Sequence, residues 1–213
     1  MSPALAIGLV AAVGFALGAL PFGLWVGRWA RGVDIRQHGS GNLGATNVYR
    51  TLGPRLGLTV FALDLAKGVA AVHVGRALGG PEFPGGAETA GLIGALTAVL
   101  GHSFTPLAGF RGGKGAATAA GAMLAATPVA STVALVGFVA AVALTHRISV
   151  GSLTAAVLLG AALWAAPFAW QGTAAAWAGT GVGLLIIVRH IPNIRRLLRG
   201  EEPPFRFKSE ARP

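Results

Sequence analysis

Arg111-Gly112-Gly113-Lys114-Gly115, close behind Gly101-His102-Ser103-Phe104, is a stretch whose residue types suit a phosphate. Glycines let backbone N–H groups approach an anion closely, a helix N-terminus adds partial positive charge, and lysine contributes a point charge. The stretch lies at the mouth of apolar runs, Thr89–Leu100 before it and the uncharged Ala116–Leu144 after it. Taken alone, the same five residues would serve equally as a tight turn anchored by positive charge at a membrane surface.

Two other polar segments change that balance. Gly39-Ser40-Gly41-Asn42-Leu43-Gly44-Ala45-Thr46-Asn47, followed by Arg50, offers hydroxyls from Ser40 and Thr46, amide donors from Asn42 and Asn47, and a guanidinium suited to bidentate phosphate contact. Its simpler reading is a capping turn in which Ser or Asn opens a helix at Leu43. Arg189-His190-Ile191-Pro192-Asn193-Ile194-Arg195-Arg196-Leu197, followed by Gly200-Glu201-Glu202, reads by itself as a cationic helix on a membrane surface. Glu201 and Glu202 can pair there with Arg195, Arg196 or Arg199. If the three segments share one face, the reactants carry more than one anionic group.

The elements that must hold these segments are membrane helices. A mean hydropathy of +0.66, with 54% hydrophobic and 11% charged residues, places the chain among integral membrane proteins. The net charge of +10 is spread between apolar segments instead of forming one soluble face, which points to topology and anionic lipids or substrates, not to nucleic acid. With no cysteine there is no thiol nucleophile, disulfide or Cys-based metal site, and the five histidines lack ligand spacing. No carboxylate cluster faces the three segments, so neither a metal nor a cofactor is expected. The N-terminus lacks a positive n-region and reads as a retained first span.

Seven spans follow from the hydropathy pattern, at about 3–26, 56–78, 89–104, 115–127, 129–145, 151–170 and 174–188. The fourth and fifth come from an arithmetic constraint. Residues 116–145 are uncharged, yet cations flank them at Lys114 and Arg147, and 30 residues cannot make two full crossings. Pro128 near the middle allows two short helices that neighbours or a thinner bilayer must shield; one long tilted helix is the alternative. Asp64 and Lys67 fall inside the second span, three apart, on one helix face where they can pair. Trp164 and Trp170 suit the far interface. Fifteen of the 17 cations then lie on one side, Lys67 and Arg76 excepted, giving an all-α, seven-helix bundle with N-terminus out and C-terminus in. Ala/Gly richness favours one compact unit over residues 1–213.

A transporter would carry polar groups near the midplane of broken helices, whereas here they gather at one membrane surface. That favours an enzyme acting on a lipid or lipid precursor. A flippase for a phosphorylated lipid precursor is the main alternative, and a non-catalytic scaffold is another.

GSGNLGATN with Arg50, GHSFTPLAGFRGGKGAAT and RHIPNIRRLLRGEE closely resemble, in order and spacing, the three motifs of the bacterial acyl-phosphate:glycerol-3-phosphate acyltransferases, the PlsY family. The likeness runs over essentially the whole chain and includes Asp64-x-x-Lys67-Gly68; Pro203-Pro204-Phe205 depart most from it. The resemblance implies transfer of a fatty acyl group from acyl phosphate to the 1-hydroxyl of glycerol 3-phosphate, giving lysophosphatidic acid and phosphate. It implies work at the cytoplasmic face of the bacterial inner membrane, by a chain for which one copy could suffice. By the same resemblance Gly112, Gly113, Lys114 and Gly115 hold glycerol 3-phosphate, while Ser40, Gly41, Asn42 and Arg50 serve the acyl phosphate. His190 and Asn193 orient the nucleophile or complete the phosphate site, with Ser149 and Ser152 beside them. Either His190 or a phosphate oxygen of the donor takes the proton.

Overall fold

A computed structural model describes residues 1–80, 82–165 and 172–205. Among them it contains ten α-helices and two short 3-10 turns. They are α1 (Pro3–Gly18), α2 (Phe22–Arg31), α3 (Ala45–Leu52), α4 (Pro54–Gly79), α5 (Gly86–Ser103), α6 (Ala116–Ala126), α7 (Pro128–Thr145), α8 (Ile148–Trp164), α9 (Gly172–Arg189) and α10 (Ile191–Leu198). Among the described residues, five stretches are long and apolar enough to cross a membrane: Pro3–Arg31, Pro54–Gly79, Gly86–Ala108, Pro128–Thr145 and Gly172–Arg189. The apolar helices α6 and α8 are shorter.

The expected first span over 3–26 is broken. Proline at position 21 cannot donate an N–H and constrains the residue before it, so α1 stops at Gly18 and α2 starts anew at Phe22. The carbonyls turned aside by the break are claimed from elsewhere in the fold. Thr105 Oγ1 donates to the Ala19 carbonyl and Lys67 Nζ to the Leu20 carbonyl, the latter at 2.8 Å. The hydropathy of 3–26 is uniform enough to hide this interruption.

The expected division at Pro128 is present. α6 ends at Ala126, Thr127 N–H returns to the Met123 carbonyl, and α7 begins at Pro128, so a continuous helix over 116–145 is excluded. The 11 residues of α6 rise only about 16 Å, against a hydrocarbon core of about 30 Å. α6 is shielded by α4, α5, α7 and α9.

α4 is the organising helix, touching α1, α2, α3, α5 and α6. Its contact with α6 is close because Gly68 has no side chain; a Cβ there would stand 2.1 Å from the Thr118 carbonyl oxygen. Inside α4, Asp64 and Lys67 are buried and paired at 2.8 Å, as their spacing predicts. At the end of α4 remote from the polar loops, Arg76 pairs with Glu88 at 2.6 Å and donates to the Ala125 carbonyl, closing the C-terminal turn of α6.

α8 starts three residues before the expected 151. It reaches Trp164, whose indole N–H donates to Thr180 Oγ1 and whose ring stands edge-on to Trp177. Trp170 lies outside the described residues.

Candidate active site

The Gly-Gly-Lys-Gly turn is held from two sides. Arg189, at the end of α9, donates to the Gly112 and Gly113 carbonyls at 3.1 Å each, with its guanidinium over the Phe104 ring. Gly113 N–H donates to the His102 carbonyl at 3.1 Å. The Gly113 N–H is thus engaged by the fold, and the turn is held in place around it. The two glycines serve close packing, because a Cβ on Gly112 would lie 2.0 Å from the His102 carbonyl oxygen and one on Gly113 2.0 Å from His102 Nε2. Gly115, at φ +81°, turns the chain into α6.

Lys114 projects from this turn to Asn193, in the first turn of α10, and donates to its Oδ1. Asn193 Nδ2 in turn donates to Glu202 Oε1 at 2.7 Å. Ser149 Oγ donates to the same carboxylate at 2.7 Å, as does Arg196 Nε, also at 2.7 Å. Glu202 is 4% exposed and is the centre of the cluster. The expected Arg196–Glu202 and Arg199–Glu201 pairs both form. What the sequence did not disclose is that Glu202 faces inward among the Lys114, Asn193 and Ser149 side chains. Two adjacent glutamates after three arginines look like a solvated ion-pair ladder, and no local signal separates them.

The residues after Glu202 form a strap. Arg147 donates to the Glu202 carbonyl, Arg50 to the Pro203 carbonyl at 3.4 Å, and Phe205 N–H to the His146 carbonyl. The Phe205 ring lies 4.8 Å from Tyr49. Arg50 thereby reaches the same cluster from α3, with its guanidinium still partly in solvent.

The first loop differs from expectation in detail. The helix opens at Ala45 with Gly44 as its cap, not at Leu43, and Asn42 Oδ1 accepts from Gly44 N–H at 2.8 Å in a tight side-chain turn. Asn47 is buried and wholly engaged: Oδ1 accepts from Ser40 N–H, and Nδ2 donates to the His38 and Asn42 carbonyls. It shapes the loop instead of facing a ligand. Ser40 itself is exposed. Gly41 lines a cavity of about 330 Å³ with Asp34, Arg36, Gln37 and Arg111, which joins the first loop to the second. Ser152 turns its hydroxyl back to the Ile148 carbonyl, so of the two serines only Ser149 enters the cluster.

Electrostatics follow from this crowding. Burial, together with the neighbouring Arg196, Arg50 and Arg189, pulls the Lys114 ammonium down to about 8, with Glu202 opposing. His190 is 3% exposed; burial and the Lys114 charge lower it to about 4. Its Nδ1 lies 2.8 Å from the Ile186 carbonyl, which fixes the neutral ring with Nδ1–H as donor. For Glu202, burial alone would raise the carboxyl, but the bonds from Ser149, Asn193 and Arg196 outweigh it and hold the group below its ordinary value.

Apolar helices carry a cationic cluster where their loops meet, an arrangement of a membrane protein suited to anionic partners. Residues 8–200 match the family model described as "Glycerol-3-phosphate acyltransferase", and the chain belongs to that family. The glycerol-3-phosphate acyltransferase of Anaeromyxobacter dehalogenans (strain 2CP-1 / ATCC BAA-258) is 46% identical over 206 residues, covering 95% of this chain and 98% of that protein. The protein of the same name from Desulforudis audaxviator (strain MP104C) is 39% identical over 205 residues, covering 96% and 98%. The crystal structure of PlsY, an integral membrane glycerol 3-phosphate acyltransferase, in its glycerol 3-phosphate form superposes with a TM-score of 0.83 at 32% identity, over 94% of this chain and 96% of that one.

Because the folded state holds Glu202 ionised more strongly than the unfolded chain does, its contribution to stability is present above the ordinary carboxylate range and is lost as pH falls through its depressed value. Glu202→Gln is therefore expected to flatten the acid side of the plot of thermal unfolding midpoint against pH, measured in detergent. An unchanged acid slope would mean the carboxylate is not held as described.

Proposed function

We propose that the chain transfers a fatty acyl group from acyl phosphate to the 1-hydroxyl of glycerol 3-phosphate, forming lysophosphatidic acid and phosphate. The observation that carries this reading is the Lys114–Asn193–Glu202 chain, with Arg50, Arg189 and Arg196 around it. Two phosphate groups repel one another, and a cluster of cations braced by one carboxylate can hold them at contact distance.

In this reading residues 1–213 form one transmembrane domain of seven crossings, N-terminus out and C-terminus in, active as a monomer at the cytoplasmic face of the inner membrane. Lys114, with the turn Gly112, Gly113 and Gly115, holds the glycerol 3-phosphate phosphate. Arg50, Ser40, Gly41 and Asn42 serve the acyl phosphate, whose leaving oxygen gains negative charge as the bond breaks. Asn193 and Ser149 keep Lys114 and the acceptor in register; Ser152 braces the first turn of α8. The 1-hydroxyl oxygen attacks the acyl carbonyl carbon, an ester C–O bond forms, the acyl C–O bond to phosphate breaks, and phosphate departs. No covalent acyl-enzyme is needed, since the donor is already activated.

The hydroxyl proton goes to a phosphate oxygen of the donor. His190, held near 4 with Nδ1 on the Ile186 carbonyl, is a poor acceptor at neutral pH and serves to position the end of α9 and the start of α10.

Lys114→Met is expected to abolish phosphate release from acyl phosphate and glycerol 3-phosphate almost completely; near-normal release would overturn the assignment. His190→Gln is expected to keep measurable kcat with a raised KM, because an obligatory imidazole base would instead cost kcat. Wild-type kcat/KM is expected to fall as pH rises through about 8, where Lys114 loses its charge in the free enzyme. A flat profile through that region would remove the ammonium from substrate capture.

A further inference from the structure

Below the cationic cluster lies a second polar set that the proposed chemistry does not use. Lys67 Nζ has three N–H groups and three neighbours: the Leu20 carbonyl at 2.8 Å, His102 Nδ1 at 2.9 Å and Asp64 Oδ1 at 2.8 Å. All three side chains are buried. Each neighbour belongs to a different part of the fold: the α1–α2 break, the last turn of α5, and α4 itself. Lys67 also stands 5.4 Å from the centre of the Phe22 ring, at the start of α2.

His102 carries the connection onward. Its Nδ1 lies 2.9 Å from Lys67 Nζ and 3.5 Å from Asp64 Oδ1, accepting from the ammonium when the ring proton is on Nε2; its carbonyl accepts the Gly113 N–H at 3.1 Å, and its Nε2 side packs so closely on Gly113 that no Cβ fits between them. The next residue is Lys114. We propose that Asp64, Lys67 and His102 position the Lys114 ammonium for the reaction, with His102 as the positioning residue that transmits the constraint to the Gly112-Gly113 turn. The proposal rests on the phosphate-binding role given to Lys114 above.

Stability alone does not explain such a set. Buried ion pairs are commonly matched or bettered by apolar side chains of similar volume, and the surrounding helices are rich in such side chains. The polar interior also extends along the turn: Asp64 Oδ2, Ser103 Oγ and Thr118 Oγ1 are buried without a hydrogen-bond partner among the described residues. Ser103 follows His102, and Thr118 lies in the first turn of α6 after Lys114. Unmet polar groups on both flanks of one turn mark a place where geometry is kept at the expense of packing. A fixed ammonium is what that geometry provides.

The test uses the full chain purified in detergent, with acyl phosphate and glycerol 3-phosphate as substrates, and reports kcat and KM for glycerol 3-phosphate separately. His102→Leu is expected to raise KM by about tenfold or more, the scale on which supporting partners of a site act, while His102→Asn, whose Oδ1 can accept from Lys67 as Nδ1 does, returns it to within about threefold of wild type. The double variant Asp64→Asn/Lys67→Met removes both charges together and so avoids leaving one buried alone. It is expected to unfold at the wild-type midpoint and still show the raised KM. A folded His102→Leu or double variant with wild-type KM and kcat would overturn the proposal, and so would a His102→Asn enzyme as impaired as His102→Leu. Lys114→Met run in parallel separates the two readings. If it is inactive beside a fully active His102→Leu, positioning alone fails; if it is active, the phosphate assignment fails and the positioning proposal with it.

Discussion

Cations do not gather without a reason. Arg196, Arg50 and Arg189 stand close enough to disfavour the Lys114 ammonium, and the Glu202 carboxylate is the counter-charge that makes the arrangement tenable. The carboxylate accepts from Ser149 on α8, Asn193 on α10 and Arg196, and its own carbonyl accepts from Arg147. One acidic residue near the end of the described chain thus links helices that are distant in sequence. Because it also fixes which way the Asn193 amide points, it determines that an oxygen, not an NH2, meets the Lys114 ammonium.

The second constraint is steric and comes from glycine. Membrane helices gain little from burying apolar surface against one another, since lipid is equally apolar, and close backbone approach takes its place. Gly68 admits the Thr118 backbone to α4, and Gly112 and Gly113 admit the second loop to the end of α5. The same approach that packs the protein puts His102 beside the turn that carries Lys114.

Much of this was legible from residue types alone. The split at Pro128 followed from a charge-free run too short for two crossings. The Asp64–Lys67 pair followed from helical spacing, and the meeting of the second and third motifs from charge distribution. The remainder was hidden for identifiable reasons. Pro21 interrupts a run whose hydropathy does not change, so the first span read as continuous. Asn47 is the right type for a ligand contact and equally right for shaping a loop, and its amide is engaged by the first loop's own backbone. Glu202 was masked by neighbouring arginines that offered it an ordinary surface pairing. Pro203 and Phe205 had no assignable role until the chain was seen to cross beneath Arg50 and Tyr49.

The brevity of α6 has a consequence for the spacing of two charged levels. Its C-terminal turn is tied through the Ala125 carbonyl to Arg76 and Glu88, and its N-terminal turn begins two residues after Lys114. Those two charged levels are therefore separated by only about 16 Å along the helix, roughly half the depth of an oily layer of about 30 Å. A helix this short sets the Lys114 level and the Arg76 level closer together than a full crossing would.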